Sequence, residues 1–283
     1  MKPLHSIIMS IKLAFQFLTV IPIKTEGEIS ESEIAESSIF FLLVGVFQGF
    51  ILVSLSVILL KLFSPEITSI LIILAYTLIN CGFHQDGLSD TFDAMSVKST
   101  KNKDKDRLKR LLAMKDSTTG PIGVTAIIFS LLLKYLLIKA ILQTKIDVCP
   151  ILCLMPVYSK WAMISAMYNS KSARNNGIGR IFLEHLRLKH LILSTVLLIF
   201  ISFAVFCTSF FCLSFICAMS DKGFIILLFC QTVIIYSLCL FLKYTFTNKF
   251  GGLTGDNFGA IHEISEIVFL LIALLFTQLT LKV

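Results

Sequence analysis

Residues 67–97, ITSILIILAYTLINCGFHQDGLSDTFDAMSV, decide how this chain is read. The first half is an apolar run ending near Cys81, and it delivers the chain directly into Asp86, Asp90 and Asp93. Those carboxylates are spaced four and three apart, so a helix would carry all three on one face. Three like charges that close repel one another and call for a cation or a basic partner. Mg²⁺ suits clustered hard oxygens, because it keeps several waters and reaches a protein through one or two carboxylates plus substrate phosphates. The plain alternative is a solvated, Asp-rich helix start just outside a membrane. His84, ahead of Asp86, reads as a hydrogen-bonding orienter more readily than as a ligand. Asn80 is a cap or a partner for the carboxylates, and Gly82 and Gly87 permit a bend or a close approach.

The apolar run is one of several. Of 283 residues 56% are apolar and 15% charged, and the mean hydropathy is +0.86. That is far from an ordinary soluble domain. Runs of about 20 apolar residues can cross a bilayer, and they fall at 39–63, 67–81, 121–141, 149–168, 191–218, 223–242 and 264–280. The expected fold is all-α: a polytopic bundle of about seven membrane helices forming one integral-membrane domain over 1–283. Residues 4–23 are broken by His5, Ser10, Lys12 and Gln16 and stop at Pro22, which suits an interfacial helix. Ser30 followed by Glu33 has the form of a capping box, so 1–38 is expected to be an interfacial and surface segment.

Charge gives the topology. The net charge is +7, and the basic residues concentrate in loops. Lys98, Lys101, Lys103, Lys105, Arg107, Lys109, Arg110 and Lys115 share one, and Lys171, Arg174, Arg180, Arg187 and Lys189 share the next. A Lys/Arg excess marks cytoplasmic loops. The loops after the second, fourth and sixth spans therefore face the cytoplasm, with the N-terminus inside and the C-terminus outside. This excess reads as topology and lipid contact, with no nucleic-acid partner expected. The eight Cys lie mostly in apolar runs without a CxxC pair, as small buried hydrophobes do. No small-residue cleavage signal follows the N-terminal apolar stretch, so a removed signal peptide is not expected.

The other polar motifs lie in those same loops. Lys115-Asp116-Ser117-Thr118-Thr119-Gly120-Pro121 opens a span, and exposed N–H groups at such a helix start favour an anion such as phosphate. Thr119 and Pro121 are explained by capping alone; Asp116 is not, and counts as a site candidate. Arg174-Asn175-Asn176-Gly177-Ile178-Gly179-Arg180 offers a guanidinium for phosphate, with Gly177 and Gly179 allowing backbone approach. Gly251-Gly252-Leu253-Thr254-Gly255-Asp256-Asn257 precedes Glu263 and Glu266. Asp256 and Glu263, seven apart, share a face if the last helix starts early. HEISE at 262–266 lacks the second His of a zinc-protease motif, which rules that reading out.

Carboxylates, basic side chains and Gly-rich turns on one membrane face fit metal-assisted chemistry on a phosphorylated substrate. A transporter would place charge at mid-span or break helices in matching halves. Here the spans are uniformly apolar apart from Lys134 and Lys139; Lys139 can snorkel, and Lys134 is deep.

GFHQDGLSDTFDA, MKDSTTGPIG, ARNNGIG and GGLTGDNFGA-x-x-E-x-x-E, in that order, resemble the cobalamin synthase family, also called adenosylcobinamide-GDP ribazoletransferases. The similarity extends from LAFQFLTVIPI to the last span. It implies a Mg²⁺-dependent transferase joining adenosylcobinamide-GDP to α-ribazole, or its 5′-phosphate, and releasing GMP. On that footing Asp86, Asp90 and Asp93 are the expected metal ligands, with Glu263 as a further one. Asp116 and Asp256 are expected near the metal, Lys115 and Arg174 are the candidate phosphate contacts, and Gly177, Gly179, Thr254 and Gly255 are candidate binding positions; these individual roles are inferred from the residues themselves and not carried over from the family. The base stays open among Asp93, Asp256 and His84. The resemblance leaves a homo-oligomer, or association with other cobalamin-assembly enzymes, open. A CDP-alcohol phosphotransferase is the nearest alternative, but Asp90 and Thr91 stand where its Ala-Arg pair would be. An intramembrane prenyltransferase would carry two similar aspartate-rich motifs, and the second motif here is Gly-rich instead.

Overall fold

The structure, a computed structural model, describes residues 2–25, 27–144, 148–212 and 221–280. Within them the chain folds as twelve α-helices without a strand: α1 (Lys2–Leu18), α2 (Glu31–Ser37), α3 (Phe41–Leu59), α4 (Pro65–Ile79), α5 (Phe83–Ser96), α6 (Lys103–Ala113), α7 (Pro121–Leu142), α8 (Cys149–Met167), α9 (Ile178–His185), α10 (Leu188–Cys212), α11 (Asp221–Phe250) and α12 (Gly255–Thr280). Local chemistry sets several of the starts. Ser30 and Glu33 form the capping box of α2, and Pro65 and Pro121 stand at the first turns of α4 and α7, where a missing N–H costs nothing.

Six helices are long and apolar enough to cross a membrane, and a seventh span is reached if the bent pair α4–α5 counts as one. The protein is thus a polytopic all-α membrane protein. Three expected boundaries move. The second span is not a straight helix. Cys81 (φ 52°) and Gly82 (φ 68°) are both left-handed, and the chain turns by 87° between α4 and α5. The sixth span continues to Phe250. The last helix begins at Gly255 rather than near 264, so the DNFGAIHE segment is helical and the last connection shrinks to a few residues. The expected end of the fifth span, 213–218, lies outside the described residues.

Helix α8 is the axis of the bundle, buried along nearly its whole length. Helix α3 crosses it through Gly45 and Gly49. A Cβ on Gly45 would stand 2.8 Å from the Val157 Cα, and one on Gly49 2.3 Å from the Cys153 carbonyl oxygen. Small residues four apart let backbones meet where lipid offers no hydrophobic drive between helices. On the outside, Phe200 and Phe203 of α10 and Phe229 and Phe241 of α11 are each more than 60% exposed. Such a surface suits hydrocarbon and not water. Helix α12 packs among α5, α7, α8 and α11, and its N-terminal half carries the site.

Candidate active site

The site is built on the crossing of α5 and α12. Glycines bring the two backbones together: a Cβ on Gly87 would lie 2.7 Å from the Asp256 carbonyl oxygen, and one on Gly259 2.9 Å from that of His84. The crossing sets Asp256, at the start of α12, beside the aspartate face of α5.

Arg174 arrives by a separate route. Leu253 donates its N–H to the Lys171 carbonyl at 2.8 Å and accepts from the Ala173 N–H at 2.9 Å, a single parallel bridge between two loops. Gly252 is required there, because a Cβ would stand 2.6 Å from the Lys171 carbonyl oxygen. The next residue but one after Ser172 is Arg174, whose guanidinium reaches the Asp256 carboxylate at 3.0 Å. Thr254 is the cap of α12: its N–H donates to the Asn257 Oδ1 at 2.9 Å, its Oγ1 accepts from the Asn257 N–H at 3.3 Å, and Asn257 donates to the Thr91 hydroxyl on α5 at 3.1 Å. Gly179 packs α9 on the same point, since a Cβ there would meet the Gly255 nitrogen at 2.9 Å. Gly177, with φ 97°, opens α9.

Asp93 takes a different part from Asp86 and Asp90. One of its oxygens accepts the Gly120 N–H at 2.7 Å and the other the Gly123 N–H at 2.8 Å. The anion at the start of α7 is therefore Asp93 itself, where the helix dipole favours negative charge by roughly 0.3–2 kcal/mol. Gly120 and Gly123 leave the room, as a Cβ on Gly123 would fall 2.3 Å from the Asp93 Oδ2. Among the described residues, the carboxylates of Asp86 and Asp90 have neither a hydrogen bond nor an ion pair with the protein. The charges that act on Asp90 are those of Asp86, Asp256, Arg174 and Asp93. One guanidinium faces four carboxylates.

Asp116 and Lys115 are exposed in the turn before α7. The Asp116 carboxylate accepts from the Thr118 N–H at 2.9 Å and hydroxyl at 2.6 Å, which hold its pKa below the ordinary carboxylate value. That is a local Asx turn. Asn80 bonds Gln48 at 2.7 Å and the Tyr76 carbonyl at 3.1 Å, not the aspartates.

About two to three turns deeper along α12 lies a second polar group. Lys134 (α7) donates to Glu263 at 2.8 Å and also to Glu266. Ser130 donates to Glu263 at 2.6 Å, and Tyr76 (α4) to Glu266. Ser159 and Lys160 (α8) lie 3.0 and 3.3 Å from the His262 Nε2. The His84 and His262 rings stack with centroids 3.7 Å apart. All of these residues are buried. Glu263 thus belongs to a buried, ion-paired interior, and His84 forms its upper edge. Sequence reasoning left Lys134 open and missed Lys160 and His262. An ionisable residue inside an apolar run was the signal, and Lys160, between Ser159 and Trp161, carries it. Among the described residues, two groups place three ligand-type atoms within 4.8 Å of one another, Glu31–Glu184–His185 and His262–Glu263–Glu266; neither contains an α5 aspartate.

A cavity of about 470 Å³ opens beside the aspartates. Asp86 and Asp256 stand in its wall with Phe17, Phe83, Ile178 and Phe258.

A polytopic helical membrane protein with an acidic, arginine-bearing cleft at the end of its bundle is the class that fold and site define. The family whose model matches residues 10–274 is described as cobalamin-5-phosphate synthase, and the chain belongs to it. Proteins named adenosylcobinamide-GDP ribazoletransferase are similar over nearly the full length. The protein of Thermodesulfovibrio yellowstonii is 36% identical, covering 95% of this chain and 97% of that one. That of Caldanaerobacter subterraneus is 30% identical with the same coverage, and that of Clostridium tetani 31% identical over 92% and 94%. No solved structure matches the chain.

Proposed function

We propose that the chain is a Mg²⁺-dependent transferase that joins adenosylcobinamide-GDP to α-ribazole, or to its 5′-phosphate, and releases GMP. The observation that carries this reading is the meeting of α5 carboxylates, Asp256 and Arg174, from three separate segments, in one cleft. The relatives' shared name supports the substrates. In the reaction a ribazole hydroxyl oxygen bonds to the cobinamide-linked phosphorus, the bond from that phosphorus to the bridging oxygen breaks, and GMP departs with that oxygen.

The donor set fits the metal: Asp86 and Asp90 offer free hard oxygens, and their spread suits an ion that keeps waters and shares its ligands with phosphate. When bound, Mg²⁺ supplies neutralisation of the diphosphate's charge. Arg174 supplies a planar, permanently charged donor for phosphate oxygens, freed from Asp256 or bridging to it. Asp256, in the cavity wall, takes the proton of the attacking hydroxyl. Asp93 holds α7 against α5 and fixes the cleft's far wall. Glycine-rich turns let backbone approach the phosphates. The cleft faces the cytoplasm, in accord with the Lys/Arg excess of the loops that form it.

The test is transfer by purified full-length protein in detergent, with adenosylcobinamide-GDP and α-ribazole, followed as GMP release. Conversion that stops with EDTA and returns with Mg²⁺ is expected. A folded protein that converts neither acceptor would sink the reading.

A further inference from the structure

We infer that the cavity between α1, α5, α9 and α12 is the seat of the acceptor nucleoside's base, with the ribose at its acidic rim; the inference rests on the transferase reading above. The cavity is about 470 Å³, within the roughly 300–1,000 Å³ of small-molecule sites. It is too small for a corrin carrying a nucleotide. Its wall is of two kinds. Phe17, Phe83, Ile178 and Phe258 make it apolar and largely aromatic, while Asp86 and Asp256 mark one side. Gly255 also lines it, and a Cβ there would meet nothing within 4 Å, leaving open backbone against which a flat ring can lie.

The lining chooses between the bases in the reaction. Guanine carries several donors and acceptors on its edge. With Asp86 and Asp256 taken at the rim by metal and ribose, Gln16 and His84 are the polar side chains left for the base, so most of guanine's edge would be buried unpaired. An N-ribosylated benzimidazole has one ring nitrogen to satisfy and otherwise presents apolar surface. It gains from the aromatic wall and loses little. With the base inside, the ribose falls beside Asp256 and Asp86, where the attacking hydroxyl must be deprotonated and meet the diphosphate. The guanosine then lies outside this cavity, and the site discriminates against purine nucleosides as acceptors.

Ile178 is half exposed on the cavity wall, so Ile178→Trp fills the space from its rim. Full-length protein in detergent is assayed with each substrate varied in turn, and α-ribazole binding is measured separately by its own fluorescence, without corrinoid or metal. The variant is expected to raise the KM and the Kd for α-ribazole at least tenfold, with the KM for adenosylcobinamide-GDP within twofold of wild type. A rise confined to the corrinoid substrate, or no change for either, overturns the proposal and leaves the transferase reading standing. α-Ribazole binding by a wild-type protein that transfers nothing would break the transferase reading instead. Phe83→Ala, on an exposed residue of the same wall, gives a second reading if the tryptophan variant does not fold: a Kd for α-ribazole raised at least threefold is expected, and an unchanged one overturns the proposal.

Discussion

Two carboxylate clusters lie within three helical turns of each other on the same pair of helices, and they are built on opposite terms. In the cleft, Asp86, Asp90, Asp93 and Asp256 face one guanidinium, Arg174. In the interior, Lys134 pairs with both Glu263 and Glu266, and Lys160, serine, tyrosine and histidine complete the contacts. A buried ion costs several kcal/mol to desolvate unless it is paired, so the interior carboxylates had to find partners. The cleft is partly open to water, and apart from Asp93, which holds α7, its carboxylates are not spent on joining helices. Paired carboxylates mark the architecture, and carboxylates without partners mark the candidate site.

The comparison breaks most visibly at Asp90. Asp90→Asn is expected to cut GMP release by at least about 10²–10³-fold, the scale on which a transition-state contact is lost. Thermal unfolding, followed through the single Trp161, should stay at or above the wild-type temperature because a repulsion has been removed. Near-normal activity would take Asp90 out of the site.

Lys134→Met should do the reverse. Leaving Glu263 and Glu266 buried without that partner is expected to cost about 3–5 kcal/mol, read as a large fall in unfolding temperature before any change in KM. An unchanged unfolding temperature would show that the interior network does not hold the bundle.

Glu263→Gln sharpens the border between the two clusters. As an interior residue it should lose about 1–3 kcal/mol of stability, with the Mg²⁺ concentration for half-maximal activity within twofold of wild type. A tenfold rise in that concentration with stability intact would move Glu263 into the cleft, as the sequence reading had it.

The smallest effect lies outside both clusters. Asp106 accepts from the Ser99 and Thr100 hydroxyls and, at 2.7 Å, from the Thr100 N–H. These bonds hold its pKa at about 2, against 3.8 ordinarily. The folded value is the lower one, so the contribution is complete above about pH 4 and fades as pH falls through 2. Asp106→Asn should flatten hydrogen-exchange protection of the 99–106 turn against pH across that window. A wild-type profile that is already flat would contradict the assignment.

Much of the cleft was legible in the chain. Spacing placed Asp86, Asp90 and Asp93 on one face, because helical periodicity is a local property. Hydropathy located the spans, and the capping box located α2. The pairing of Arg174 with Asp256 was not legible, since it depends on a two-bond bridge between loops eighty residues apart. Nor was the division of labour within the triad. Asp93 differs from Asp90 only in facing the start of α7, and spacing cannot report what a carboxylate faces.

The opening run, 67–97, therefore holds both answers. By itself it determined that an apolar helix ends in three aspartates, which follows from composition and period. Tertiary structure decided that the helix turns 87° at Cys81–Gly82 and that glycines at 87 and 259 bring α12 against it. It also decided that one aspartate is spent on holding α7 while the other two keep unpartnered carboxylates. Charge compensation is settled by neighbours in space, and the sequence orders those neighbours only along the chain.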